Sequence, residues 1–378
     1  MAASWARARL SSALPVTYES LAAGTAAYDG AQRELLDASI DRLGRRAATR
    51  GDRTLDLLLL SGGGQHGAYG IGFLRGWQAR TDTPMPRFDM VTGVSTGSLQ
   101  APYALLGTAD ALDTAGELYR NAADRFAPTP DWLFWLRRTG GLVDTTRFRA
   151  AIATAVDARM TEQLLQAAKD DRQLLIATTD FDLGVGKTWD LPAELARPGG
   201  AERAYDVLLA SCSIPGIFPP QIIDGHVHAD GGVIANALFP FGLADFQQLA
   251  TRLRERGVPG TVRVRLWVVI NIWTHVRIVP IEPSDRAQMS QRSTVVMFFA
   301  QQPQLLERLE LLARTVTDRL PGLAMETRFT AIPEEFTNAP GAEKLFDETW
   351  MRRLEGIGYA RAQSASPWDA IVSPYLRP

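Results

Sequence analysis

The five residues Gly93-Val94-Ser95-Thr96-Gly97 constrain the fold of this chain more than any others. Phe88 to Val94 read as a short buried strand, and Gly97 to Leu106, small or apolar, open a helix. Glycines on both sides of a serine remove Cβ atoms where strand and helix crowd together, and they tolerate the angles of a sharp turn. Ser95 then projects at a helix N-terminus, which favours the negative charge an attacking oxygen develops. The same pattern also arises as an ordinary tight turn in a chain with 32 glycines, so serine chemistry needs further pieces.

A second strand-loop-helix unit precedes this one. Leu55 to Leu60 is a compact apolar run, glycines follow at once, and Ile71, Leu74 and Trp77 mark a helix beyond them. Two such units side by side predict a largely parallel sheet covered by helices on both faces. Leu174 to Asp180 and Val262 to Ile272 add strands, the latter central, and Asp180 to Trp189 forms a hairpin around Gly184 and Gly186. Leu305, Leu309, Leu312 and Val316 keep helical spacing, Glu326 to Ile332 reads as a strand, and Asp347 caps a helix carrying Met351, Leu354 and Ile357. The expected architecture is a three-layer α/β/α fold. It divides into a helical arm over 1–50, with Leu36, Ile40 and Leu43 packing one stripe, a catalytic core over 51–280 and a mostly helical C-terminal region over 281–378.

Composition narrows the function. A 46% hydrophobic content over 378 residues supports a large core, and 40 basic against 42 acidic side chains give no electrostatic reason to expect nucleic acid. The single cysteine, Cys212, rules out an intrachain disulfide. Met1 to Val16 carry Arg7 and Arg9 among alanines and lack the apolar stretch of a secretory signal, and no segment approaches the roughly 20 apolar residues of a membrane span. Cytoplasm and an exported protein whose signal is not in this sequence both stay open, and oligomeric state is not legible.

Ser61-Gly62-Gly63-Gly64-Gln65-His66-Gly67 lies between the first strand and its helix. Consecutive glycines turn successive N–H groups toward one point, and the helix N-terminus adds positive potential: an anion cradle. It suits a nucleotide phosphate, a dinucleotide pyrophosphate or the oxyanion of acyl transfer. Ala68-Tyr69 stand where a P-loop requires Lys-Ser or Lys-Thr. Gly62, Gly64 and Gly67 do match the dinucleotide fingerprint, with Asp82 at a suitable distance for a ribose hydroxyl, although Asp82 falls in a Thr-Asp-Thr-Pro turn. Asp230-Gly231-Gly232 supplies a carboxylate at a strand end, ionised at neutral pH, with two glycines leaving room for it to reach another loop's hydroxyl.

In that order and at those separations, the glycine loop, Gly93-Val94-Ser95-Thr96-Gly97 and Asp230-Gly231-Gly232 resemble the patatin-like phospholipase family. Ala210 to Pro219 resembles the small-residue and Phe-Pro segment that the family places ahead of its aspartate. The resemblance covers roughly residues 55 to 240. It implies a Ser95 nucleophile, Asp230 as its sole partner, and an oxyanion hole from the N–H groups of Gly62, Gly63 and Gly64. Gly67, Gly93, Gly97, Gly231 and Gly232 then support the motifs. It also implies a lipid or ester substrate, with no metal and no cofactor. His66 stands where the family usually has Arg or Lys, so the cradle is less positive.

Two other chemistries stay on the page. His226, His228 and Asp230 alternate on one face of a strand, which is metal-ligand spacing, although Gly231 replaces a following histidine. An α/β-hydrolase triad would need a histidine after the acid, and only His275 follows Asp230. Trp132-Leu133-Phe134-Trp135-Leu136-Arg137-Arg138 reads first as a packed helix. Its rings and two cations also suit a lipid-water boundary, which leaves transient membrane-surface contact open.

Overall fold

A computed structural model describes residues 18–121, 129–130, 141–344 and 346–371. The Trp132–Arg138 cluster lies outside the described residues. Eight strands form the main sheet: β1 (Thr54–Leu60), β2 (Met90–Val94), β3 (Gln173–Asp180), β4 (Val185–Asp190), β5 (Gln221–Ile223), β6 (His226–Asp230), β7 (Val262–Ile270) and β8 (Leu323–Ala331). A separate two-stranded ribbon pairs Thr129–Pro130 with Val143–Asp144. The strand that ends at Asp230 is paired with a second, Gln221–Ile223, because Asp224, at φ 52, and Gly225, at φ 81, turn the chain between them.

β1 is buried along its whole length, and its Leu57–Leu60 end is apolar because both faces are covered. Leu58 and Leu60 enter one core with α2 (Gly67–Gln78), α3 (Thr96–Leu106), α4 (Ala109–Arg120), α5 (Thr146–Ala155) and α8 (Gly200–Ser211), and with α11 (Glu348–Gln363). Leu55, Leu57 and Leu59 point the opposite way, toward α1 (Tyr18–Thr49), α9 (Leu243–Glu255) and α10 (Arg286–Arg319). Ile40 and Leu43 of α1 are fully buried there, as the stripe predicted. The result is the expected three-layer α/β/α arrangement. The remaining helices, α6 (Ala158–Lys169) and α7 (Leu191–Leu195), brace the β3 side.

Five strands run parallel in the order β8-β7-β1-β2-β3. β4 returns antiparallel along one edge of β3, pairing Leu175–Asp180 with Asp190–Val185. β2 and β6 therefore share the opposite edge, β2 facing Gln173–Ala177 and β6 running antiparallel to it against Thr178–Asp180. Two strands thus approach each other head-on, and their ends define the site.

Candidate active site

At the upper end of β2 the chain turns through Ser95, whose φ of 53° and ψ of −127° lie in a region a non-glycine residue rarely adopts. The turn is held from both sides: Ser95 N–H donates to Ser211 Oγ at 3.0 Å, and Ser95 O accepts from Ser98 N at 2.8 Å and Ser98 Oγ at 2.6 Å. Gly93 and Gly97 are required by close approach, since a Cβ on Gly93 would strike the Gly97–Ser98 backbone and one on Gly97 the Leu60 carbonyl. Ser95 ends as the N-cap of α3, with its side chain outside the helix.

β6 delivers Asp230 to the same place. Asp230 N–H donates to Ser213 O at 2.9 Å, and its carbonyl accepts from Thr179 Oγ1 at 2.9 Å, so the backbone is fixed on both sides. Its carboxylate accepts a hydrogen bond from Gly232 N–H at 2.8 Å and lies beside the Ser95 hydroxyl. Burial pushes the Asp230 carboxyl up to about 6, against the lowering effect of these two neighbours. Such a group is ionised at neutral pH yet close to its titration point, which suits a general base. Gly231 is tight as well, because a Cβ there would press on the Ala177 carbonyl of β3.

The glycine loop passes over the serine. Of the three expected donors, Gly62 N–H is turned away, donating to Asn236 O at 2.9 Å. The N–H groups of Gly63, Gly64 and Thr96 have no partner among the described residues and are the available donors beside Ser95. Gly63 lies so close to Asn271 that a Cβ would collide with the Asn271 carbonyl oxygen. Asn271 anchors the loop, its N–H donating to Ser61 Oγ at 2.8 Å and its Nδ2 to Ser61 O at 2.7 Å. Gln100 of α3 ties in the loop's far end through Nε2 to Gly67 O at 2.6 Å. Asn236 and Asn271 were not singled out by the sequence, whereas Ser211 and Ser213 lie in the Ala210 to Pro219 segment that was. The available signal was a polar residue directly after an aliphatic strand or a few positions past the aspartate.

His66 is half-buried and packs against Trp273, with ring centroids 5.0 Å apart, and its two nitrogens face Gly63 O at 3.0 Å and Ala342 O at 3.1 Å. Burial lowers its pKa, so the neutral ring donates to one of the two carbonyls and braces the loop without adding charge. Asp82 lies in the bend after α2 and pairs with Arg80, apart from the glycine loop. His226 groups with Asp180 and Asp182, its Nδ1 2.9 Å from Asp180 Oδ2, while His228 bonds Thr178 Oγ1 at 3.2 Å. Neither histidine appears on the Asp230 carboxylate, and His275 contacts Thr274 Oγ1 at 3.0 Å.

A narrow apolar cavity of about 70 Å³ opens at Ser95. Its walls carry almost no polar surface. Leu99, Pro102 and Tyr103 of α3 line one side, and Leu118, Ile152, Leu208 and Phe218 close the others.

A family model described as patatin-like phospholipase matches residues 58–245. No curated protein matches the chain. Among solved structures, VipD from Legionella pneumophila is 11% identical with a TM-score of 0.35, over 82% of this chain and 66% of that one. The chain therefore spans just under two thirds of VipD's length.

Proposed function

We propose, from the premise that this chain belongs to the patatin-like phospholipase family through residues 58–245, that it is a serine acyl hydrolase working through a Ser95–Asp230 dyad. The family match supports lipid ester hydrolysis in general. The observation that carries the finer reading is the placement of the Ser95 hydroxyl beside the buried Asp230 carboxylate, with no imidazole on either group among the described residues.

In this mechanism Asp230 accepts the hydroxyl proton as Ser95 Oγ attacks the ester carbonyl. The tetrahedral oxyanion forms under Gly63, Gly64 and Thr96 N–H groups, each donor contributing roughly 2.7–4 kcal/mol in comparable holes. Collapse expels the alcohol, which takes the proton back from Asp230. Water, deprotonated by the same carboxylate, then attacks the acyl-Ser95 ester and releases the acid.

The cavity supports an acyl chain as its occupant. From Ser95 to Tyr103 it follows eight residues of α3, about 12 Å at the helical rise. Water gains little in a cavity with almost no polar lining, whereas methylenes gain about 0.8 kcal/mol each. A panel of short nitrophenyl esters, neutral lipids and phospholipids, run beside Ser95→Ala, tests the reading. Hydrolysis that survives Ser95→Ala ends it.

A further inference from the structure

Asp180, Asp182 and His226 each bring a ligand atom to one place, all within 4.8 Å of one another. Asp180 ends β3 and Asp182 follows it in the turn toward β4, while His226 opens β6. Asp180 stands opposite His228 in the antiparallel β3–β6 pair, so His226, the diagonal neighbour, shares its face.

Backbone donors fix both carboxylates. Asp180 Oδ1 accepts Asp182 N–H and Leu183 N–H at 3.0 Å each, and Asp182 Oδ2 accepts Val227 N–H at 2.7 Å. Asp180 is 2% exposed, and among the described residues no Lys or Arg pairs with it. Lys187 of β4 lies instead over the rings of Tyr28 and Trp189, 4.7 and 4.8 Å from their centroids. A buried carboxylate without an ammonium or guanidinium partner calls for another cation. Its one remaining neighbour is His226 Nδ1, 2.9 Å from Asp180 Oδ2. That nitrogen is buried and not aligned to hydrogen-bond, so it has no partner among the described residues. Two donors on one ion show such spacing, since atoms each about 2.1 Å from a zinc ion stand roughly 3 Å apart.

We propose that Asp180, Asp182 and His226 bind a divalent transition-metal ion, zinc foremost, that clips the start of β6 to the end of β3. An imidazole beside two carboxylates suits zinc better than calcium or magnesium, which take oxygen ligands. The His226 side chain is 32% exposed, which leaves a side open for the ion to enter and for water to complete its coordination. The ion takes no part in acyl transfer, because Asp230 lies outside the cluster. It steadies the strand that carries Asp230, and the proposal goes beyond the hydrolase reading without depending on it.

The experiment strips untagged protein with a chelator and titrates it with zinc, manganese or calcium, following bound metal and melting temperature. One zinc per chain is expected, at free concentrations on the order of micromolar, with a rise in melting temperature that the chelator reverses. His226→Ala and Asp182→Asn, at part-exposed positions, should weaken zinc binding by at least the roughly tenfold that losing an outer-shell partner costs. His228→Gln, at a residue bonded to Thr178 beside the cluster, should keep it. A parent that binds no zinc overturns the proposal, as do His226 and Asp182 variants that bind it like the parent. Calcium bound in preference to zinc overturns the assignment of the ion. A parent whose melting ignores both chelator and zinc, while His226→Ala melts lower, makes the cluster an ordinary histidine–aspartate ion pair and also overturns it.

Discussion

Val94 and Asp230, the last residues of β2 and β6, stand opposite the adjacent residues Ala177 and Thr178 on one edge of β3. One strand runs up that edge and the other down it, so the hydroxyl one residue past Val94 arrives at the carboxylate of Asp230. A distance of 135 positions in the chain is closed by sheet register, which carries the proposed nucleophile to the proposed base.

Holding Ser95 at φ 53° stores strain that glycine would not feel. Ser95→Gly is expected to be inactive and to gain about 1 kcal/mol of stability. Denaturant unfolding alongside an esterase assay checks this, and a variant less stable than the parent would remove strain from the account.

The carboxyl of Asp230, raised by burial to about 6, gives activity and stability opposite pH trends. A protonated Asp230 cannot accept the serine proton, so kcat/KM falls as pH drops through about 6. Between the unfolded group's ordinary value near 3.9 and the folded one, the native state holds a proton that the unfolded chain has released. Stability is therefore highest at the acid end of that window and declines as pH rises through it, by about 3 kcal/mol in all. Asp230→Asn removes the trend, so it should melt above the parent at pH 8 and level with it at pH 4, at greatly reduced activity. Melting curves at both pH values decide.

Asn271 holds the glycine loop and does not line the cavity at Ser95. Asn271→Ala frees Ser61 O and the loop behind Gly63, costing about 1–3 kcal/mol of stability. Misplaced oxyanion donors should lower kcat by about tenfold or more. KM stays near its parental value. A change in KM alone would place Asn271 in substrate binding.

Leu99 lines the cavity one turn beyond Ser95. Leu99→Trp should fill the cavity near its mouth, cutting kcat/KM for decanoyl esters by about tenfold or more while acetyl esters stay within a few-fold. Equal losses on both would show that the acyl tail lies elsewhere.

Much of this was legible because the strands are buried on both faces and the turns carry glycine. Leu55 to Leu60 announces a covered strand, and the Asp180 to Trp189 hairpin follows from Gly184 and Gly186, observed as Gln173–Asp180 paired with Val185–Asp190. Asp347 accepts Trp350 N–H at 2.8 Å as the expected cap. The motif residues around Ser95 and Asp230 were visible because each is a local pattern. What stayed hidden depends on distant contacts. Nothing near Gly62 in the sequence says that its N–H will be taken by Asn236, nor that Asn271 will anchor the loop. The grouping of His226 with Asp180 rather than Asp230 follows from the Asp180–His228 register, which alternation along one strand does not encode.

The most direct measurement is labelling with a fluorophosphonate, followed by peptide mass spectrometry. The account predicts one adduct per chain, on Ser95, forming slowly in Asp230→Asn and not at all in Ser95→Ala, with hydrolysis lost in step. An adduct on another residue, or unmodified Ser95 in an enzyme that has lost its activity to the reagent, would contradict it.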